Sequence, residues 1–306
     1  MNKPHNPDRL AEEALLHYPY GYPRENARDH SNALVETPML DKRLLRTARG
    51  LVLAGIGGDR TARNVAEFFT EEGAKLVLFR CRPDSFAEEM NLINPENNNQ
   101  ESHGVPLSKK SELHTLESLF VKLKADWGLI DFLVYVCGAP DRSILSEKYV
   151  DTDSRSFHDI MEGCVHGFTA LSRHATAVMA PDSSMLTLIW PALDSAAPRH
   201  SIFEIIRAAQ EASVRCLADE LGPLGIRVNA IATGRFSDFV EKPTPDQPFP
   251  PQYPYDSAPL RRAITREEIG KAAVYLTSGL ASGITGETLH VDAGRHIIGL
   301  RGVPPP

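Results

Sequence analysis

The chain has 306 residues, with 42% hydrophobic and 24% charged side chains, enough to bury a full-sized core in one large α/β domain or in two smaller ones. Lys+Arg at 33 against Asp+Glu at 40 gives a net charge of −7, the wrong sign for a protein that grips the phosphate backbone of nucleic acid. No apolar run reaches the ~20 residues of a membrane helix, the start lacks the apolar core of a secretory signal, and the four scattered cysteines hold no CxxC pair, so a cytoplasmic protein without a disulfide framework or zinc site is expected.

Residues 1–40 are polar and interrupted by prolines, and read as an extension to a domain spanning 41–306. From there, short aliphatic runs alternate with segments of helical period. LVLAGI (51–56) predicts a strand, residues 61–72 a helix, and KLVLF (75–79) a second strand. Residues 93–112 are polar and loop-like. A helix over 113–125 leads into DFLVYV (131–136), a third strand, followed by one long helix over 154–179. SMLTLIW (184–190) is a fourth strand, 202–221 a helix, and IRVNAIA (226–232) a fifth strand. A helix over 266–278 and ETLHV (287–291) close the pattern. Strands that are apolar almost throughout are those buried on both faces, so the alternation implies one parallel, doubly wound α/β sheet. Proline punctuates this plan. Of 23 prolines, five fall in residues 1–38, seven in 243–259 and three at the end, which leaves the intervening stretches free to form helices and strands.

Several segments together carry a resemblance. They are EASVRCLADELGPLGIRVNAIATG (211–234), APLRRAITREEIGKAAVYLTSGLASGITGETLHVDAG (258–294), YVDTDSRSFHDIMEGCVHGFTALSRHA (149–175) and AGIGGDRTARNVA (54–66). The chain is similar over roughly residues 45–300 to the short-chain dehydrogenase/reductase superfamily, and within it to the enoyl-acyl-carrier-protein reductases. The resemblance implies a single Rossmann-type sheet and a homo-oligomer, tetramer or dimer, built on the two long helices flanking the site. It also implies a catalytic tyrosine with a lysine two helical turns later. Aligned without gaps through TLIWPALDSAAPRHSIFEIIRAAQEASVR, those positions hold His200 and Arg207, and a second pocket aromatic corresponds to Trp190.

Other departures concern the cofactor. The glycine loop keeps Gly55, Gly57 and Thr61 but is one residue short, and VYVCGAP (134–140) is short by one as well. Where the family has Gly-Pro-Ile-x-Thr, this chain reads Gly234-Arg235-Phe236-Ser237-Asp238, which sets a carboxylate and a bulky ring where pyrophosphate and nicotinamide would lie. Arg80 and Arg82 pull the other way, since they follow the second strand where the 2′-phosphate of NADPH would be neutralised.

An imidazole that titrates near pH 6.5 and an always-charged guanidinium suit proton transfer. The expectation is therefore a cofactor-independent acid/base enzyme, performing cyclisation, dehydration or isomerisation on an acyl, polyketide-like or other specialised small-molecule metabolite. In that scheme His200 is the acid/base and Arg207 stabilises an oxyanion. Trp190, Tyr135, Cys137, Cys164 and Phe236 line the pocket, and a proline-rich lid over 239–258 contributes Phe249, Tyr253 and Tyr255. Two alternatives remain: an NADPH- or NADH-dependent enoyl reductase with an altered proton donor, in which the glycine loop and Arg80 and Arg82 still bind cofactor, or a non-catalytic relative of such enzymes.

Overall fold

The computed structural model describes residues 44–45, 47–55, 59–80, 91–93, 101–102, 112–137, 149–189, 201–234 and 258–298. Eight strands are described: β1 (Arg49–Ala54), β2 (Lys75–Arg80), β3 (Asn91–Ile93), β4 (Glu101–Ser102), β5 (Ile130–Val136), β6 (Met179–Ile189), β7 (Arg227–Thr233) and β8 (Thr288–Val291). They form one sheet in the order β4-β3-β2-β1-β5-β6-β7-β8. The six strands from β2 to β8 in that order are mutually parallel, and β3 and β4 extend the β2 edge antiparallel. The helices are α1 (Asp59–Glu71), α2 (Glu112–Trp127), α3 (Ser154–Met161), α4 (Gly167–Ala175), α5 (Ser201–Leu221) and α6 (Arg266–Thr277).

The apolar strands are explained by two cores, one on each face of the sheet. In β5, Phe132, Val134 and Val136 join the cluster that holds Ala62, Val65 and Phe69 of α1 and Ile269, Ala273 and Val274 of α6. Leu133 and Tyr135 point the other way, into a cluster with Leu119 and Leu123 of α2, Phe168 and Leu171 of α4, and Ile202, Ile206 and Val214 of α5. A period of two along a strand buried on both sides therefore sorts side chains between two helical layers rather than between core and water. The parallel, doubly wound expectation holds.

Three expectations are corrected in detail. The polar stretch 93–112, expected as loop, contains β4, which pairs with β3; strands of three and two residues are too short to leave a periodic signal. The single helix expected over 154–179 is broken by a π-helical turn, Glu162–His166, between α3 and α4, and ends at Ala175. Strand β6 begins at Met179 rather than 184. Its first residues include Pro181 and Asp182, the latter at φ 67°, and the pairing with β5 shifts register between Ile130 and Phe132. A proline and an aspartate at a strand's start mask it in the sequence.

Candidate active site

Strand β1 is hydrogen-bonded to β2 on one side and β5 on the other. The chain runs outward from β1 to β2, β3 and β4, then crosses back to β5, so the connections leave the carboxyl ends of β1 and β5 in opposite directions. Such a switch point opens a crevice, the usual ligand position in doubly wound sheets. Gly55 closes the end of β1, its amide donating to the Val136 carbonyl at 2.8 Å. Helix α1 starts four residues later, with Thr61 in its first turn, so the amides of that turn and the positive end of its dipole open on the same edge. This arrangement fits the pyrophosphate of a dinucleotide. Arg80 ends β2 in register with Ala54. Among the described residues no group of three or more His, Cys, Asp or Glu side chains is placed to hold a metal ion.

Gly55 is also constrained from below. A Cβ there would lie 2.5 Å from the Tyr135 hydroxyl, and one at Gly167 would lie 2.8 Å from it. The hydroxyl donates to the Gly163 carbonyl, and the ring stacks on Phe168 with centroids 6.1 Å apart. Tyr135 is 4% exposed. The ring, expected as a substrate-pocket wall, lies in the core, where it joins the end of β1 to the π-turn and α4. Its register explains this, because Tyr135 shares a face with Leu133, toward the α4 layer.

Cys137, the residue after β5, lies on that same face. Its Sγ is 2.8 Å from the Sγ of Cys164, which the π-turn carries. Both thiols are buried. The hydrogen bond with the Cys164 thiol, together with burial, pushes the Cys137 thiol well above its ordinary pKa. Gln210 of α5 donates its side-chain amide to the Cys164 carbonyl at 3.0 Å, while its own Oε1 is buried and unpartnered. Sequence reasoning placed both cysteines near the site but missed their contact, and it missed Gly163, Gly167 and Gln210. The spacing of two glycines four residues apart on one helix was the available signal of a close approach.

Arg207 lies on α5 between two carboxylates of its own helix. Nε and Nη2 reach Glu204 Oε2 at 3.3 and 3.1 Å, and Nη1 reaches Glu211 Oε1 at 2.9 Å. All three side chains are about four-fifths buried, with exposures of 19%, 24% and 23%. The guanidinium's charge is thus answered within the helix. His200, Trp190, Phe236, Phe249, Tyr253, Tyr255, Gly57 and Arg82, the side chain of Arg80, the lid 239–258 and the extension 1–40 lie outside the described residues.

At the far side of the same edge, Gly234 follows β7, and a Cβ there would fall 2.8 Å from the Asp292 Cα. Asp292 is buried and accepts from the amides of Gly294 and His296 at 2.9 and 2.8 Å. His296 Nδ1 also lies 3.0 Å from Asp292 Oδ1, and its ring stacks on His290 at 4.2 Å. This corner fixes the turn after β8.

A protein-family model described as enoyl-(acyl carrier protein) reductase matches residues 57–296. An enoyl-[acyl-carrier-protein] reductase [NADH] of Rhizobium meliloti is 33% identical over 270 residues, covering 86% of this chain and 95% of the relative. The corresponding NADH reductase of Bacillus cereus is 31% identical over 256 residues, covering 83% and 99%. Among solved structures, the enoyl-(acyl-carrier-protein) reductase of Anaplasma phagocytophilum in complex with NAD superposes with a TM-score of 0.69 at 29% identity, covering 86% of this chain and 97% of that one. The Bacillus cereus reductase with NADP+ and an indole naphthyridinone gives 0.68 at 29%, covering 84% and 100%.

These findings overturn the expectation of a cofactor-independent cyclase, dehydratase or isomerase of specialised metabolism, and that of no cofactor. The relatives that share nearly the full domain are named as NADH reductases. The expectation rested on His200 and Arg207 at the family's tyrosine and lysine positions and on Phe236, Asp238 and a shortened glycine loop, whereas Gly55, the start of α1 and the switch point keep an arrangement that could hold a dinucleotide.

Proposed function

Because the chain belongs to the enoyl-acyl-carrier-protein reductase family of the short-chain dehydrogenases/reductases, we propose that it is a nicotinamide-dependent oxidoreductase that saturates the carbon–carbon double bond of an enoyl thioester. The observation that carries this reading is the extent of the match, 33% identity across 95% of a reductase of that name. Gly55, the amides opening α1 and Thr61 would hold the pyrophosphate. Gly57 would lie in the same glycine loop, and Arg80 and Arg82 would favour the 2′-phosphate of NADPH beside the NADH that the relatives use. When bound, the reduced nicotinamide supplies the hydride.

The chain's own groups supply the proton and the positioning. His200 and Arg207 occupy the family's tyrosine and lysine positions in the ungapped alignment. His200 is the proposed proton donor to the enolate oxygen. Arg207, held by Glu204 and Glu211, is a positioning residue in the second turn of α5 rather than an oxyanion clamp. Trp190 and Phe236 form part of the acyl wall, and Phe249, Tyr253 and Tyr255 its lid. A small-molecule thioester substrate and a homo-oligomeric assembly belong to the same proposal.

An imidazole donates only while protonated. With a donor of ordinary imidazole pKa, about 6.5, turnover should fall as pH rises through that value, whereas a phenol donor would sustain it to about 10. Purified protein given a trans-2-enoyl thioester should consume NADH or NADPH, read as loss of the reduced nicotinamide absorbance. Absence of consumption with either cofactor, at concentrations that saturate a related reductase, would remove the reading.

A further inference from the structure

We propose that Cys137 and Cys164 form a redox-modification site, a buried dithiol that hydrogen peroxide converts reversibly to a disulfide between the end of β5 and the π-turn. The inference stands on the two sulfurs and their supports, and does not depend on the reaction proposed above. The sulfurs lie 2.8 Å apart, less than about 1 Å from the bonded distance of about 2.05 Å. They come from elements 27 residues apart in sequence, so a bond would staple a strand to a helix rather than close a local turn.

Two independent features hold them there. The π-turn, in which the Gly167 amide reaches back to the Glu162 carbonyl, inserts one extra residue into the helix at the level of Cys164. Such single-turn insertions gather at functional positions. Gln210, nine-tenths buried, fixes the Cys164 carbonyl and leaves its own Oε1 buried without a partner, an uncommon cost in a core that needed only a small apolar side chain. Burial also makes the pair exclusive. Cys216 is exposed on α5, whereas at 3–4% exposure neither Cys137 nor Cys164 is presented to the thiol of another protein chain.

The step balances. One sulfur, as thiolate, attacks a peroxide oxygen; the O–O bond breaks, giving a sulfenic acid and, with a proton, one water. The second sulfur attacks the sulfenic sulfur, the S–O bond breaks, the S–S bond forms and a second water leaves. Two electrons pass from the sulfurs to the peroxide, and both thiol protons end in water. Because Cys137 is held protonated, its own attack on peroxide is slow and accelerates with pH.

The test uses the full chain, as wild type and with Cys81→Ser and Cys216→Ser so that only this pair remains. After hydrogen peroxide treatment, denaturation and alkylation, the double variant should lose the mass of two hydrogen atoms and take up no alkylating groups. Dithiothreitol should restore two alkylatable thiols. The wild type should yield a proteolytic fragment joining Cys137 to Cys164 and a higher melting temperature than its reduced form. Cys164→Ser should abolish the linked fragment. Two alkylatable thiols after exposure that fully oxidises free glutathione, or oxygen atoms added at either cysteine with no linked fragment in the wild type, would overturn the proposal.

Discussion

At Gly55 two demands meet, one from the crevice above and one from Tyr135 below. The packing demand alone predicts that Gly55→Ala, whose Cβ would sit 2.5 Å from the Tyr135 hydroxyl, lowers stability by about 1–3 kcal/mol. Combining it with Tyr135→Leu should cost less than the sum of the single changes, a coupling that a double-mutant cycle in urea reads directly. Strict additivity would mean that the glycine answers only to what lies above it. His200→Ala should lower kcat by about 10²–10⁴-fold with a smaller change in KM, and should erase the fall in rate above about pH 6.5. Legibility at this scale was uneven. The sequence located Arg207 by alignment and assigned it to an oxyanion, although Glu204 and Glu211, three residues before and four after, already offered it partners on the same helix face. Tyr135 was expected to shape the apolar wall, and its alternation with Leu133 places it on the face packed by α4 and α5, inside the core.

Among elements, α6 illustrates how ends are secured. Thr265 accepts from the Glu268 amide at 3.2 Å, and the Glu268 carboxylate accepts from the Thr265 amide at 2.8 Å, a reciprocal N-terminal cap. Arg262 adds hydrogen bonds of 2.9 and 2.5 Å to the same carboxylate. The Arg262 hydrogen bonds first, and the Thr265 amide next, bring the Glu268 pKa from 4.5 down to about 2. Because the folded value lies below the unfolded one, the stabilisation is present above pH 4.5 and is lost as pH falls toward 2. Glu268→Gln should therefore cost about 1 kcal/mol at neutral pH, its exposure limiting the effect, and should flatten the acid limb of a stability–pH curve within that window. The other end of α6 depends on buried Arg227, which donates to the carbonyls of Leu276, Thr277 and Ser278 at 2.8, 3.4 and 3.2 Å and to that of Ile284 at 3.4 Å. Arg227→Met should remove the donor to the Thr277 and Ser278 carbonyls, while Ser184 still donates to the Leu276 carbonyl and Asn229 to that of Ile284, and should lower stability by on the order of 2 kcal/mol in chemical denaturation. The Thr-x-x-Glu pattern at 265–268 encodes this cap, although the helix over 266–278 was expected from its period alone. The π-turn was not, since inserting one residue into a helix leaves its composition unchanged.

For the molecule as a whole, the architecture was legible because strands buried on both faces advertise themselves as apolar runs, and helices between them force parallel crossovers. The antiparallel edge of β3 and β4 was not, being too short to carry a pattern. Function was misread for a different reason: His200, Arg207, Phe236, Asp238 and the shortened loop were together weighed against a cofactor, although phosphate sites at a switch point and a helix N-terminus are built largely from backbone amides that side-chain changes leave in place. Among the described residues no helix is long and apolar enough to cross a membrane. If the scaffold still holds its dinucleotide, NADH or NADPH at 100 times its Kd should stabilise the fold by about 2.7 kcal/mol, visible as a rise in melting temperature.

The most direct test of the central claim follows a labelled hydrogen. With an enoyl thioester and reduced nicotinamide carrying deuterium on both C4 positions, the saturated product should contain one deuterium derived from the cofactor, with one cofactor oxidised per product formed. An unlabelled product, or conversion of the thioester without oxidation of the cofactor, would contradict nicotinamide-dependent reduction.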